Sequence, residues 1–303
     1  MTKDIFKDEI KYCVACASRN IKFWLTKKKV FVYKIFRCLS CGTAFLNPRP
    51  TTKYLHNIYK HSGSGLRYPI TLENVLNRER EYPNATVDAE RLVKIALSLM
   101  KRRVTNKALD IGSGFGFFSQ ACVKYGFQVT AINPGKWENR IFEQLNDFKP
   151  VEKYFEDVKF NNKFDLIVIS QVLEHLQEPE SALIKVKKLL SPIGVLAIAT
   201  PNINSFSVKI LRSRDNSCLW VPEHLNYFSQ KGLIKLLHKT GFSVYKCIVL
   251  SRIPYNFLSN RLKLQGLPRK ICNEIIRLSQ KLPLSLLDYL GLGLYINIWA
   301  KNL

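Results

Sequence analysis

The chain lacks any apolar run of the roughly 18 residues needed to cross a bilayer. Its first nine residues carry Asp4, Asp8 and Glu9 and no apolar core, so no secretory leader is expected there. It has no internal repeat and no low-complexity tract, which excludes solenoid and fibrous architectures. Acids are scarce, 23 against 47 Lys and Arg. A soluble cytoplasmic protein is expected, with peripheral contact at the inner membrane face as the one membrane option.

What is present is a large core fraction and uneven charge. Hydrophobic residues make up 47% of 303, enough for one large domain and a smaller one. Residues 1–60 hold 13 basic and 3 acidic side chains, residues 244–303 hold 9 and 2, and residues 107–243 hold 17 and 13. A basic surface beside a near-neutral centre would attract a phosphorylated or otherwise anionic acceptor, anionic lipid or nucleic acid. An AT-rich coding sequence, free with Lys, Asn and Ile, explains the excess equally well.

Three segments emerge. Residues 10–50 hold paired cysteines and a strand-like run, 29–37. Residues 51–106 read as a polar helical linker or cap; Leu92, Val93, Ile95, Ala96 and Leu99 recur at helical spacing. Gly63-Ser64-Gly65 predicts a loop there. Residues 107–303 alternate apolar runs with helical stretches, which predicts a parallel sheet with crossover helices. Strands are expected at 107–111, 127–132, 164–170, 193–199, 242–250 and 293–300. Helices are expected near 116–125, 136–146, 179–190 and 229–239. The Leu- and Ile-rich stretch 254–290, with three prolines, predicts a helical insertion, either a cap or a membrane-surface element.

Asp110-Ile111-Gly112-Ser113-Gly114-Phe115-Gly116 leaves an apolar strand and enters a helix. Glycines there permit positive φ and close approach of a ligand to the main chain. A dinucleotide fingerprint would place its third glycine two residues later. With Phe164–Ser170, Gln171-Val172-Leu173-Glu174-His175-Leu176, Pro192–Leu196, Thr200-Pro201-Asn202 and Gly241-Phe242 following in order, the sequence resembles the class I S-adenosylmethionine-dependent methyltransferases. The resemblance implies a Rossmann-like, mostly parallel α/β sheet with flanking helices. It implies that Gly112, Ser113, Gly114 and Gly116 underlie the cofactor and that Asp110 orients the loop and the cofactor's amino group. It implies that Ser170 and Gln171 lie near the sulfonium. One departure stands out. Asn133 occupies the end of the second strand, where that family usually has an acid for the ribose hydroxyls; an amide offers one uncharged acceptor oxygen. Glu138, one turn into the next helix, is a candidate stand-in.

Cys13 and Cys16, then Cys38 and Cys41, form two C-x-x-C knuckles separated by the segment 17–37. That spacing can set four sulfurs around structural Zn²⁺. The other cysteines read as small buried apolar residues. Gly42 to Pro50, ending Phe45-Leu46-Asn47-Pro48-Arg49-Pro50, adds a resemblance to a bacterial methyltransferase subgroup with an N-terminal zinc ribbon, associated with sugar and surface-polysaccharide biosynthesis. A nucleic-acid-binding ribbon is the alternative; Lys27-Lys28-Lys29 with Phe23, Trp24 and Phe31 would supply contacts.

Methyl transfer to oxygen or carbon needs a base. Two pairs offer one: Glu174-His175 after the strand expected at 164–170, and Glu223-His224 in the loop before Ser229, a candidate N-cap. In the sugar C-methyltransferases that the second run resembles, a tyrosine stands where Val221 is, which leaves O-methylation open. Gln171, where a metal-assisted quinone O-methyltransferase would have an acid, argues against that variant. The expected activity is methyl transfer to a nucleotide- or lipid-linked sugar or a glycan, with His224 or His175 as base. A nucleic-acid methyltransferase and a catalytically silent binding protein are the alternatives.

Overall fold

The computed structural model describes residues 5–7, 9–62, 71–81, 84–251 and 284–303. The loop expected at 63–65 and most of the insertion expected at 254–290 lie outside these residues.

The N-terminal sheet is ordered β1 (Ile21–Lys28), β2 (Val32–Cys38), β3 (Ala44–Leu46), β8 (Asn226–Tyr227). The strand-like run 29–37 is therefore a hairpin tip plus most of β2. The central sheet has six strands: β4 (Lys107–Ile111), β5 (Gln128–Ile132), β6 (Phe164–Ser170), β7 (Leu190–Pro201), β9 (Phe242–Leu250) and β10 (Tyr295–Asn302). Their order is β5-β4-β6-β7-β10-β9. The first three pairings are parallel, and β10 runs antiparallel to both neighbours. This is the Rossmann-like α/β architecture expected. β4, β6 and β7 are buried on both faces, which is why they read as unbroken apolar runs rather than alternating ones.

Helices α1 (Thr52–Ser62), α2 (Leu72–Glu81) and α3 (Asn84–Leu99) fill the segment expected to be helical. Helices α4 (Phe117–Lys124), α5 (Lys136–Leu145), α6 (Pro179–Leu189) and α8 (Gln230–Lys239) fall where periodicity predicts them. Two further short helices lie among the described residues, α7 (Phe206–Leu211) after β7 and α9 (Leu284–Tyr289) before β10.

Helix α3 belongs to the α/β body. Ala89, Leu92, Val93 and Ala96 pack with Ala108, Ala121, Val168, Ala197 and Trp299. Trp299 Nε1 donates to the Leu92 carbonyl at 2.9 Å, so the buried indole leaves no unsatisfied donor. At the start of β4, Asp165 accepts the N–H groups of Val104, Thr105 and Asn106, each at 2.8 Å, and fixes the chain's entry into that strand.

The fourth strand of the N-terminal sheet comes from beyond β7: Ala44 pairs with Tyr227 and Phe45 with Asn226. The ribbon sheet is completed by a strand too short to carry a pattern, and Phe45 joins the same core as Leu109, Ile169 and Phe228. Ribbon and α/β body are thus continuous.

Candidate active site

The glycine turn follows β4. Gly112, Gly114 and Gly116 hold φ of +69°, +53° and +90°, a region that favours glycine. Their surroundings differ. A Cβ on Gly112 would run into the Val172 Cγ2 methyl, and one on Gly116 into Asn146 and the Phe142 ring. A Cβ on Gly114 would meet nothing within 4 Å. Two of the glycines serve protein packing, and Gly114 is the one that opens onto space a ligand can use. Beside it, Ser113 Oγ is buried with no hydrogen-bond partner among the described residues, a donor and acceptor that a ligand would satisfy.

Asp110 is fully buried beneath the turn and accepts from Ser119 Oγ at 2.7 Å. Burial pushes its carboxyl up to about 6, against the lowering effect of Ser119. Asn133 is also buried, and its Nδ2 donates to Gly135 O at 3.2 Å and Asn139 Oδ1 at 2.9 Å. The amide's donors are thus held by the protein, which orients Oδ1 as the acceptor. Glu138 lies alongside: a Cβ on Gly135 would collide with its carboxylate and approach Asn133 Nδ2 to 3.2 Å. The open face at Gly114, the orphaned Ser113 hydroxyl and the Asn133–Glu138 pair fit the ribose and amino-acid ends of S-adenosylmethionine. Ser170 ends β6, half-buried. Gln171 is exposed at φ +55°, its N–H bonded to Ala199 O at 2.8 Å. A left-handed glutamine at this position marks a strained exit from the strand.

The two Glu-His pairs, far apart in the chain, come together here. The rings of His175 and His224 meet edge to face with centroids 4.7 Å apart. His224 Nδ1 lies 2.7 Å from the Cys218 carbonyl and His175 Nδ1 lies 2.9 Å from the Glu223 carbonyl. A carbonyl only accepts, so each Nδ1 carries the proton and each lone pair sits on Nε2. Burial pulls His224 down to about 3, helped by His175, and His175 down to about 4. Both are neutral near pH 7. Glu174, fully buried, accepts from Thr200 Oγ1 at 3.0 Å, and burial pushes its carboxyl up to about 8. Glu174, His175 and His224 each place an oxygen or ring nitrogen within 4.8 Å of the others. Such a cluster can hold and move a proton, and could also ligate a cation.

Two basic residues from the N-terminal part reach this cluster. Lys29, at the hairpin tip, lies 3.0 and 3.2 Å from the Glu223 carboxylate oxygens and 5.3 Å from the centre of the Trp220 ring. Buried Arg49 donates to the Gln177 carbonyl and to Asn226 Oδ1, while Asn226 Nδ2 donates to Leu176 O at 2.8 Å. Burial lowers the Arg49 guanidinium to about 10, which leaves it charged at neutral pH. Arg49 thereby ties together the turn bearing His175 and the loop bearing His224. Sequence reasoning singles out neither Arg49 nor Thr200 as a site residue; the available signal for Arg49 is its place between Pro48 and Pro50.

The same contacts involve the Lys27-Lys28-Lys29 triplet. Lys27 is buried and donates to Asp215 O and, at 2.8 Å, to Asn216 Oδ1. Lys29 is bound to Glu223. Strand alternation turns Lys27 inward, so two of the three ammoniums already have protein partners.

The four paired cysteines do converge. Cys13 Sγ lies 3.6 Å from Cys41 Sγ, and Cys16 Sγ 3.6 Å from Cys38 Sγ. A tetrahedron with Zn–S bonds of about 2.3 Å has edges of about 3.8 Å, so the quartet fits structural zinc. Both knuckles close alike: Ala17 N–H donates to Cys13 O and Gly42 N–H to Cys38 O, each at 2.9 Å. Of the other cysteines, Cys122 and Cys218 are buried and Cys247 is half-buried; Cys272 lies outside the described residues.

A family model described as a methyltransferase domain matches residues 80–246, more than half of the chain. A ubiquinone biosynthesis O-methyltransferase from Haemophilus ducreyi is 32% identical over 107 residues, 32% of this chain and 45% of that protein. One from Rickettsia typhi is 23% identical over 171 residues, 52% of this chain and 67% of its own. The chain thus spans between about half and two thirds of the length of these curated relatives. Among solved structures, a SAM-dependent methyltransferase from Archaeoglobus fulgidus aligns at TM-score 0.50 and 19% identity, over 75% of this chain and 99% of that one. The plantazolicin methyltransferase BpumL, solved with SAH, aligns at TM-score 0.51 and 15% identity, over 82% and 94%. These likenesses bear on the fold.

Proposed function

The chain belongs to the methyltransferase-domain family, and from that premise we propose that it is an S-adenosylmethionine-dependent methyltransferase acting on a sugar-type acceptor. The observation that carries the reading is the contact between Gly112 and Val172. It sets the cofactor-fitting glycine turn against the segment that ends in Glu174 and His175. When bound, S-adenosylmethionine supplies an electrophilic methyl on its sulfonium. Asp110, Ser113, Gly114, Asn133 and Glu138 would hold it, and Ser170 and Gln171 would border the reacting end. His224 Nε2, which carries the ring's lone pair, would take the proton of the acceptor's hydroxyl. Burial and His175 both disfavour a charge resting on His224, so the proton would have to pass on through the neighbouring Glu174 and His175 rather than stay there.

The acceptor class is drawn from the ribbon and its exit motif, the net charge of +24 and the pair of histidines. A nucleotide- or lipid-linked sugar or a glycan combines a weakly acidic hydroxyl with negative charge. A quinone-type phenol, suggested by the names of the curated relatives, is a second acceptor class. Cation assistance is a second reading of the Glu174–His175–His224 cluster, favoured by its two nitrogens and one carboxylate within reach.

The test is purified protein with S-adenosylmethionine and a panel of sugar nucleotides, glycans and catechols, followed by release of S-adenosylhomocysteine. Turnover on a sugar is expected, with His224→Asn slowing it about 100-fold or more and leaving cofactor affinity unchanged. Absence of calorimetric cofactor binding overturns the enzyme reading. Turnover on catechols alone overturns the sugar assignment. Loss of rate with a chelator that spares the Cys quartet would move Glu174 and the histidines to cation binding.

A further inference from the structure

A cleft of about 210 Å³ lies between the ribbon and the segment that follows β7. Its walls are Trp24, Arg37, Lys209 and Arg212, with Ile203, Asn204 and Val208 completing it. Three cations and, among the described residues, no acid line it. Among the described residues none of Arg37, Lys209 and Arg212 comes within 4 Å of a carboxylate. Asp215, the acid nearest in sequence, is occupied elsewhere: its carboxylate accepts from Ser207, Ser217 and the Cys218 N–H, the last at 2.8 Å.

The cleft is also shaped. β1 carries a bulge: Phe23 pairs with Phe36 and Leu25 with Ile35, which leaves Trp24 as the extra residue. A bulge re-aims the side chain it carries, and here the indole lines the cleft. Arg37 lies over that ring, 5.2 Å from its centre, and is braced by Nη2 donating to Asn204 Oδ1 at 2.6 Å and Nε to Gly42 O at 3.2 Å. A half-buried, braced guanidinium keeps its remaining donors aimed in one direction, which suits bidentate recognition of phosphoryl oxygens. Arg212 takes φ +46°, an uncommon conformation for a side-chain-bearing residue, at the end of α7. The volume is below the ~300–1,000 Å³ of whole-ligand pockets, so it suits one end of a ligand. Asn204 stands one short turn beyond Thr200, whose hydroxyl touches Glu174.

We propose that the Trp24–Arg37–Lys209–Arg212 cleft is a phosphoryl-binding subsite, which holds the phosphate or diphosphate end of the acceptor. The inference rests on the acceptor reading above for its biological meaning. Its physical content, anion capture at this cleft, does not depend on methyl transfer.

The test uses the full-length protein without methyl donor. Pyrophosphate, UDP and uridine are titrated by calorimetry and by tryptophan fluorescence, at low and at physiological salt. Saturable binding of pyrophosphate and UDP in the millimolar range or tighter is expected, weaker at higher salt. UDP binding tighter than pyrophosphate would assign the ligand as a nucleotide; equal binding would assign a bare phosphoryl group, as in a lipid-linked phosphate. Lys209→Gln with Arg212→Gln should weaken both about tenfold or more, and Lys209→Arg should retain binding. Trp24→Phe should abolish the fluorescence response. No saturable binding of either phosphorylated probe overturns the proposal, as does binding unchanged in the double variant or binding of uridine alone. S-adenosylhomocysteine titrated in parallel reports on the cofactor site, so failure there is distinguishable from failure here.

Discussion

Lys29 and Glu223, 194 residues apart in the sequence, form an ion pair of 3.0 Å in which the carboxylate is almost wholly buried and the ammonium is about a third exposed. The contact joins the ribbon's hairpin tip to the loop that carries His224. Lys29→Met removes the ammonium and its contact with Trp220. Because the lysine is exposed, the expected loss of global stability is only about 1 kcal/mol. The expected loss of turnover is larger, about tenfold, because the residue before the proposed base loses its anchor; Lys29→Arg should recover most of it. Steady-state kinetics with calorimetric cofactor affinity checks this. Unchanged kcat in Lys29→Met would show the pair to be irrelevant to the site.

Arg49 is a stronger constraint because it is buried and its donors go to two different segments. Arg49→Leu leaves Asn226 Oδ1 and the Gln177 carbonyl without their donor, with an expected cost of about 2–4 kcal/mol. Arg49→Lys should not rescue it, since an ammonium cannot reach both acceptors with a planar fork. Urea unfolding midpoints read the loss directly.

Much of the α/β body is legible in the sequence because the signals are local. A strand buried on both faces is an unbroken apolar run, and a helix shows its 3.6-residue period; β4, β6, α5 and α6 need nothing more. The glycine turn is equally plain, although its three glycines do different things: Gly112 and Gly116 make room for Val172 and Phe142, and Gly114 faces open space. What the sequence hides is long-range. Asn226 and Tyr227 alone complete a sheet begun in the ribbon, and a strand that short has no readable period. The basic triplet reads as a source of nucleic-acid contacts because its partners, Asp215, Asn216 and Glu223, lie beyond β7, 188 to 194 residues further along the chain. The two Glu-His pairs can be named as alternatives, but only folding makes them one cluster.

Asp110 gives a pH dependence with a definite sign. Burial raises its carboxyl from the ordinary aspartate range to about 6. The folded state therefore holds this proton more tightly than the unfolded chain, and the group's own contribution to stability falls as pH rises from about 4 to about 6. Binding of the cofactor should move the opposite way, since the ionised carboxylate is the form that attracts an amino cation. S-adenosylmethionine affinity measured between pH 5 and 8 should strengthen through a midpoint near 6, and Asp110→Asn should flatten the profile. A flat profile in the unsubstituted protein would separate Asp110 from cofactor binding.

Zinc removal should act on the acceptor side of the site more than on the cofactor side. Ser229 Oγ donates to the Cys41 carbonyl at 2.6 Å and accepts from Gly232 N–H at 2.9 Å, so one side chain both caps α8 and grips the second knuckle. The His224 loop runs directly into Ser229. Without metal, four thiols held 3.6 Å apart in pairs have no common partner, and the ribbon is too small to persist on apolar burial alone. The expected stoichiometry is one zinc per chain, lost in Cys38→Ser. That variant should lose most methyl transfer and unfold at lower temperature, because the grip on Ser229 and the Lys29–Glu223 pair both loosen. The glycine turn, by contrast, packs directly against Val172, Phe142 and Asn146. Cys38→Ser should therefore bind S-adenosylhomocysteine within about threefold of the unsubstituted protein. Equal loss of cofactor affinity and turnover would mean that the ribbon supports the whole body rather than the acceptor-facing loop.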